Sequence, residues 1–417
     1  MKPLLRVFNV RAEEARSALY ATAFFFCVLA ALMLLRPARD ALGMQRGIES
    51  VRWLFVATSV ITLLVNPVFG WLVARYRRLR VLLIAYGFFA LGLLAFYALL
   101  AWAPAAVGER SGQVFYVWFS VFNFFATMLF WALMADSFTL EQGKRLFPLV
   151  SAGGTLGAIA GPALTALLAE RLGTPALLLV AIGFIALAGL AAGALARRQP
   201  PLGVSVDQPM GGSALAGITA LLRSRYLIGI AGYVLILSVM VTFLYFTRLQ
   251  MVAALGEDLD LRTGWLARMD MATQIATLLL QLVLAGRLIE RIGLAWTLAL
   301  LPLTTLLGFI GLALVATLTM LVLVEAGFRA VQRAVQRPAR EVLFTIVPRE
   351  DKYKAKAVID TFVYRMGDVA GAGTEGALSK LALGLGALAA TAVPLAVAWA
   401  ALGLWLGRRS RTPQPSA

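Results

Sequence analysis

Apolar and polar positions follow one another along this chain in long blocks. Runs of about 20 apolar residues, the length a helix needs to cross roughly 30 Å of hydrocarbon, recur from Ser17 to Trp405. Twelve spans are placed, at residues 17–36, 52–74, 81–102, 114–136, 147–169, 175–196, 226–248, 264–286, 294–314, 318–338, 357–378 and 383–406. The longest polar interruption is "RRQPPLGVSVDQPMGGS", Arg197 to Ser213, rich in Pro and Gly. The pattern predicts an all-α polytopic membrane protein. A six-helix bundle over residues 1–196 is followed by a linker over 197–225, a second six-helix bundle over 226–407 and a tail over 408–417.

Composition removes the soluble alternative. With 61% hydrophobic residues, 14% charged residues and a mean hydropathy of +0.84 over 417 residues, the chain has more apolar surface than a water-facing fold can hide, so lipid is its solvent. The net charge of +17 would suggest nucleic acid in a soluble protein. Here, placing the N-terminus inside puts most of the 38 Lys and Arg residues on one side of the spans. The positive-inside rule then sets both termini and the linker in the cytoplasm of a cell (inner) membrane, and no nucleic-acid partner is expected. The opening "MKPLLRVFNVRAEEAR" is read as a surface-lying lead-in to the first span, because the apolar part is too long for a signal peptide and "RPARD" follows it.

The absence of histidine excludes a Ser-His-Asp triad, a histidine proton relay and the usual zinc ligand set. Any proton coupling must use carboxylates. The single cysteine, Cys27, allows no intramolecular disulfide. There is no nucleophile-base constellation and no Walker sequence, so neither an enzyme nor a hydrolysis-driven pump is expected, and no cofactor or metal. A monomer is expected.

The halves repeat. "GWLVARYRRLRVL" from Gly70 ends the second span and "GRLIERIGLAWTL" from Gly286 ends the eighth, with Gly, Leu two on and Arg five on coinciding. Two parallel six-helix halves resemble the plan of the major facilitator superfamily, and both stretches resemble its loop signature Gly-x-Leu-x-Asp-Arg-x-Gly-Arg. The second copy carries Glu290 and Arg291, whereas the first has Ala74 where the acid belongs. The resemblance implies that Glu290 and Arg291 lock neighbouring helices in one conformation.

Ionisable groups inside spans carry the most information, since each costs about 2.5–3.5 kcal/mol at a helix centre. They are Arg268 and Asp270 in the eighth span, Glu325 and Arg329 in the tenth, and Arg365 and Asp368 in the eleventh. Asp270, Gln274, Thr277 and Gln281 share one face of the eighth span. Asp368 follows Arg365 by one helical turn, among glycines that permit close approach. The tenth span ends in "FRAVQRAVQRPAREVLF", where Arg329, Arg333, Arg337 and Arg340 fall within about 80° of one another on an ideal helix. Glu325, Arg329, Arg333, Gln336 and Arg340 form a line toward the cytoplasmic end, where Pro338 is expected to bend the helix. Snorkelling accounts for Arg337 and Arg340 but not for Arg329 near mid-span. A row of guanidinium groups suits a polyanion, because Arg offers paired donors and stays charged in a low dielectric.

Two further helices stand out. The fourth, "FYVWFSVFNFFATMLFW", places Asn123 among aromatic rings that could stack a purine or simply pack. In the fifth, Gly153, Gly157 and Gly161 recur every four residues, a close-packing face for another helix.

"LFWALMADSFTLEQGKRLFPLVSAGGTLGAIAG", Leu129 to Gly161, resembles the ATP/ADP antiporter family of plastids and intracellular bacteria and its bacterial relatives. The shared pattern is Phe130-Trp131, an acid-rich turn, Lys144-Arg145 with Phe147-Pro148, then the glycine helix. "LLRPARDALG" and "REDKYKAKAVIDTFVYRMGD" are similar to the bacterial relatives, matching at Arg36, Arg39 and Asp40. The resemblance implies a twelve-helix carrier that exchanges nucleotides or related phosphorylated anions, with Lys144 and Arg145 as pattern positions. The chain is shorter than the best-known carriers and lacks their first-span lysine.

The expectation is a secondary transporter of a small anionic, phosphorylated or nucleotide-like solute working by alternating access. Its binding residues are expected among Arg36, Arg39, Asn123, Lys144, Arg145, Arg329, Arg333 and Arg365. Asp40, Asp270, Gln274, Glu290, Arg291, Glu325 and Asp368 are the coupling or gating set, the acids pairing with arginines when the site is empty. A proton-coupled carrier of another small solute and a non-transporting scaffold or sensor are the open alternatives.

Overall fold

A computed structural model describes residues 11, 13–103, 105–198, 219, 221–284, 287–344, 347, 355–356, 358–380 and 385–410. Among these residues the apolar runs are helices joined by short turns. The first six are α1 Ala15–Gly43, α2 Ile48–Arg75, α3 Arg78–Trp102, α4 Ala105–Ser137, α5 Leu140–Leu172 and α6 Thr174–Arg198. There follow α7 Arg225–Ala253, α8 Leu259–Leu284, α9 Arg287–Leu314 and α10 Leu318–Val331. A π-helical turn, Gln332–Gln336, links α10 to α11 Arg337–Leu343, and a second one, Ile359–Val363, leads into α12 Tyr364–Lys380, before α13 Leu385–Arg409. Eight of the described helices are long and apolar enough to cross a membrane. Helix α8 is not among them, because it carries ionisable groups along its length, and π turns shorten α10 and α12.

Residues 1–208 with 255–271 form one compact unit, and residues 209–254 with 272–417 form the other. Helix α8 is therefore shared, its first turns grouping with the first unit. Most of the predicted linker, residues 199–218, lies outside the described residues.

In the first unit α1 is the central helix, packed chiefly on α5 and α6. The glycine face of α5 makes the first contact possible. A Cβ on Gly153 would stand 2.8 Å from the Thr22 carbonyl oxygen, one on Gly157 2.2 Å from that of Phe26, and one on Gly161 2.6 Å from that of Ala30. The α1 backbone is thus in contact with the α5 backbone over three turns. Helix α1 also runs further than its apolar run predicts, through Pro37 to Gly43. Pro37 removes only one N–H, and α5 supports this stretch where the Thr165 hydroxyl donates to the Leu34 carbonyl at 2.7 Å. Arg36, Arg39 and Asp40 consequently lie inside a helix, and buried charge is present in both units rather than in the second alone.

The aromatic helix α4 is packing material. Phe122 stacks on Phe89 of α3, with ring centroids 3.4 Å apart, and Trp118 stacks on the same ring at 4.5 Å, while Phe130 stacks on Phe25 of α1 at 4.1 Å. The start of α5 carries a capping box between Thr139 and Gln142. Gly173, at φ 82°, turns α5 into α6, and Asp260 at the start of α8 accepts the Thr174 N–H at 2.6 Å, capping α6.

In the second unit α12 lies along α7, and α9 along α13. Gly367 and Gly371 bring α12 against Ser238 and Thr242, and Gly407 brings α13 against Ala295. Gly293, with φ 76°, breaks α9, so Arg287 to Arg291 form a short helical piece ahead of the span. The bend expected at Pro338 is instead a π turn just before it: the Arg337 N–H bonds to the Gln332 carbonyl, five residues back. Widening the turn shifts the hydrogen-bond register next to a residue that has no N–H to contribute.

Candidate functional site

The second unit holds the denser set of charges. Glu325 in α10, 2% exposed, accepts from the Arg248 Nη1 of α7 at 2.9 Å, and Arg248 is 0% exposed. The Arg329 Nε lies 3.9 Å from the same carboxylate, one turn along α10. Arg333 donates to the Gln274 amide oxygen of α8. On α12, Arg365 pairs with Asp368 at 3.1 Å, and Asp368 also accepts from the Ser238 and Thr242 hydroxyls at 2.5 and 3.5 Å. One turn pair further, buried Glu375 accepts from Gln250. The seam between α7 and α12 is therefore polar along its length, and glycines hold it closed.

The predicted arginine row does not stay in one line. Its upper members, Arg329 and Arg333, face Glu325 and Gln274, whereas Arg337 and Arg340 lie beyond the π turn. These two line a polar cavity of about 430 Å³ with Arg365, Gln332, Gln336, Asp360, Tyr364 and Leu237. Arg340 pairs with Asp360 at 3.2 Å, and its buried Nε has no hydrogen-bond acceptor among the described residues. Asp360 balances Arg340, and Asp368, just outside the lining, balances Arg365, so the three guanidinium groups leave the cavity basic, and both π turns contribute to its wall. Such turns concentrate at functional sites because they re-aim side chains without ending the helix.

The first unit has a smaller cluster. Arg36 stands 3.8 Å from Asp270 at the end of the α8 portion that packs with this unit. Arg39 forks onto the fully buried Asp40 at 2.5 and 2.9 Å, donates to Ser120 at 3.2 Å, and lies 4.8 Å above the Tyr116 ring. A guanidinium held on three sides in this way is fixed in place.

Several expected residues sit elsewhere. Arg145 forks onto Glu14, just ahead of α1, at 2.9 and 3.0 Å, with Gln142 on the same carboxylate at 3.2 Å. It ties the lead-in to α5. Arg268 is exposed, paired with Glu170 at 2.8 Å and resting on Trp265. Asn123 is half-buried and its side chain makes no hydrogen bond among the described residues. Arg291 is exposed, while the side chains of Lys144 and Glu290 lie outside the described residues. Sequence reasoning missed Arg248, Glu375 and Asp360. The signal for Glu375 was available, since it lies two turns from Asp368 on the same face.

The Glu14 carboxyl is held below the ordinary carboxylate range, chiefly by the hydrogen bond from Arg145. A depressed acid contributes stability that is present above its ordinary value of about 4.3 and is lost as pH falls through the lower folded value. Arg145→Gln is therefore expected to lower the melting temperature at pH 7, and the gap to the wild-type protein should narrow steadily below pH ~4. A gap that is constant with pH would show that the contact acts without the Glu14 charge.

The comparisons agree with this architecture. Residues 17–328 match the Major Facilitator Superfamily, and the chain belongs to that superfamily of multi-pass membrane transporters. Among solved structures, a variant of the nucleoside transporter NupG superposes with a TM-score of 0.70 at 13% identity, covering 94% of this chain and 99% of that one. PepTSo, a POT family transporter, gives a TM-score of 0.64 at 13% identity over 95% and 98% of the two chains. A bacterial homologue of the human lysosomal transporter Spinster gives 0.57 at 15% identity over 97% and 100%. These likenesses establish the fold. No curated protein sequence matches this chain.

Proposed function

We propose that this transporter exchanges anionic, phosphorylated or nucleotide-like solutes by alternating access, in the manner of the ATP/ADP antiporter family its Leu129–Gly161 stretch resembles. It is placed in a cell inner membrane with both termini cytoplasmic, and it acts as a monomer. The observation that carries the proposal is the cavity of about 430 Å³ walled by Arg337, Arg340 and Arg365. Guanidinium forks match phosphate oxygens two at a time, and a low-dielectric wall strengthens each contact. Arg365 is shared between this cavity and Asp368, so an arriving phosphate competes with an internal carboxylate for one guanidinium. Within the cavity wall the same competition holds between Arg340 and Asp360, paired at 3.2 Å. Occupancy is thereby coupled to internal ion pairs, which is what an obligatory exchanger requires.

A second proposal rests on Asp368, a buried carboxylate between Ser238, Thr242 and Arg365. It is the group best placed to carry a proton if the solute is taken up with one.

Counterflow in proteoliposomes separates the two, with labelled ATP outside and unlabelled ADP, phosphate or buffer inside. Exchange predicts uptake only with internal anion, and a loss of at least about tenfold in Arg337→Gln and in Arg365→Gln, one charge-assisted contact being worth about 1.5–3 kcal/mol. Uptake driven by a pH gradient with empty vesicles, and abolished in Asp368→Asn, would favour the proton-coupled carrier. Unchanged uptake in both arginine variants would remove the cavity from the pathway.

A further inference from the structure

A second large cavity lies in the first unit, and its lining includes none of Arg36, Arg39 and Asp40. It is a groove of about 860 Å³ walled by α2, α3 and α4. From α4 come Arg110, Gln113, Val114, Val117, Trp118, Val121, Phe122, Phe125 and Leu129, a single helical face at three- and four-residue steps. From the opposite wall come Leu54, Ile61 and Val65 of α2, with Ala85 and Phe88 of α3. The lining is apolar except at one end, where Arg46, in the turn between α1 and α2, joins Arg110 and Gln113.

Three features set this end of the groove at the level of lipid headgroups. Arg46 and Arg110 occupy the ends of helices that start or finish on the same side of the bundle. Trp53, near the start of α2, and Trp102, at the end of α3, are exposed on that side, 70% and 76%; exposed indoles collect at the membrane interface. Neither arginine forms an ion pair among the described residues, and Glu49, the acid nearest Arg46 in sequence, is engaged by Arg52. The apolar part of the α4 face, Val114 to Leu129, spans about 22 Å at 1.5 Å per residue, more than one leaflet's half of a hydrocarbon core of roughly 30 Å. Under the orientation that the Lys and Arg distribution favours, this is the outer leaflet, where basic residues work against topology and need another reason to be present.

We infer that this groove is a binding site for an anionic phospholipid, its phosphate held by Arg46 and Arg110 with Gln113, and an acyl chain lying along the α4 face between α2 and α3. A basic mouth over an apolar slot of leaflet depth complements that molecule at both ends. A soluble anion would leave the slot empty, and a zwitterionic lipid would bring a third cation to the two arginines.

The test uses the whole protein in mild detergent, titrated with phosphatidylglycerol or phosphatidylethanolamine of identical acyl chains and read by native mass spectrometry. One phosphatidylglycerol is expected to be retained, with phosphatidylethanolamine at least about tenfold weaker. The pair of substitutions Arg46→Gln and Arg110→Gln should weaken phosphatidylglycerol by about thirtyfold, from roughly fivefold per surface cation. Val117→Trp, which fills the slot and leaves the arginines, should abolish retention in protein that still elutes as a single species. Short-chain phosphatidylglycerol, which cannot fill the slot, should bind as weakly as lipid binds the double variant, and answers the same question if Val117→Trp does not fold. Equal retention of the two headgroups, or undiminished retention by the double variant, overturns the inference. Tight binding of the short-chain lipid overturns it too, by showing a headgroup site without a groove.

Discussion

Glu325→Ala is expected to cost about 3–5 kcal/mol of stability, the penalty for stranding a buried charge, and to leave little protein eluting as a single species at 37 °C. The reason is Arg248, 0% exposed, whose Nη1 donates to the Glu325 carboxylate at 2.9 Å. Arg329, 3.9 Å away on the same helix, is also positioned by that acid. Alanine would leave two guanidinium groups facing each other across a space where one carboxylate now separates them. Removing the charges together is a different matter, because well-packed apolar replacements of a buried pair are often neutral. Arg248→Met combined with Glu325→Leu should recover most of the lost melting temperature while transport stays impaired. A melting temperature for Glu325→Ala equal to that of the wild type would show that the pair contributes nothing to the fold.

The second large effect is steric. Gly157→Val is expected to prevent α1 from docking on α5, since the first carbon of any side chain would stand 2.2 Å from the Phe26 carbonyl oxygen, where no neighbouring side chain can yield. Overpacking in a flexible core costs about 1–3 kcal/mol. Here both walls are backbone, so the loss should exceed that range. Gly193→Ala in α6 is the matched control. A Cβ there meets nothing within 4 Å, and helix propensity alone should stabilise it by up to about 1 kcal/mol. The comparison is read as the fraction of monodisperse protein after solubilisation. Comparable yields for the two variants would mean that the helices separate enough to admit a valine.

The fold was readable from the sequence because its largest energetic term is local: a run of about 20 apolar residues has one stable solution in a bilayer. Helix ends were less readable. Pro37 looked like the end of the first span, and only the support of α5, more than 120 residues away, explains why α1 continues to Gly43. Pairs one turn apart, Arg329 with Glu325 and Arg365 with Asp368, were legible for the same local reason. The strongest pair was not, since Arg248 sits at the end of an apolar run, where an arginine reads as an anchor, and its partner is in another helix. Arg145 was legible only as a pattern position, because its partner Glu14 lies beyond any window a pattern can scan. Arg337 and Arg340 could be explained as snorkelling side chains. What places them on a cavity with Arg365 is the pair of π turns, and hydropathy has no signature for those.

A π turn accommodates one more peptide than an α turn, so it acts as a single-residue insertion that the helix absorbs without a break. Everything after Gln336 is out of phase with α10 by about 100°, the rotation of one residue. Two populations of arginine on one continuous helix can then serve different neighbours, the first held by Glu325 and Gln274 and the second turned to the cavity. The same insertion precedes Tyr364 and Arg365 on the facing helix. An inserted residue can in principle be handed along a helix one hydrogen bond at a time, so the two walls of the cavity could be re-aimed by rotation about their own axes, with no change in the length of either span.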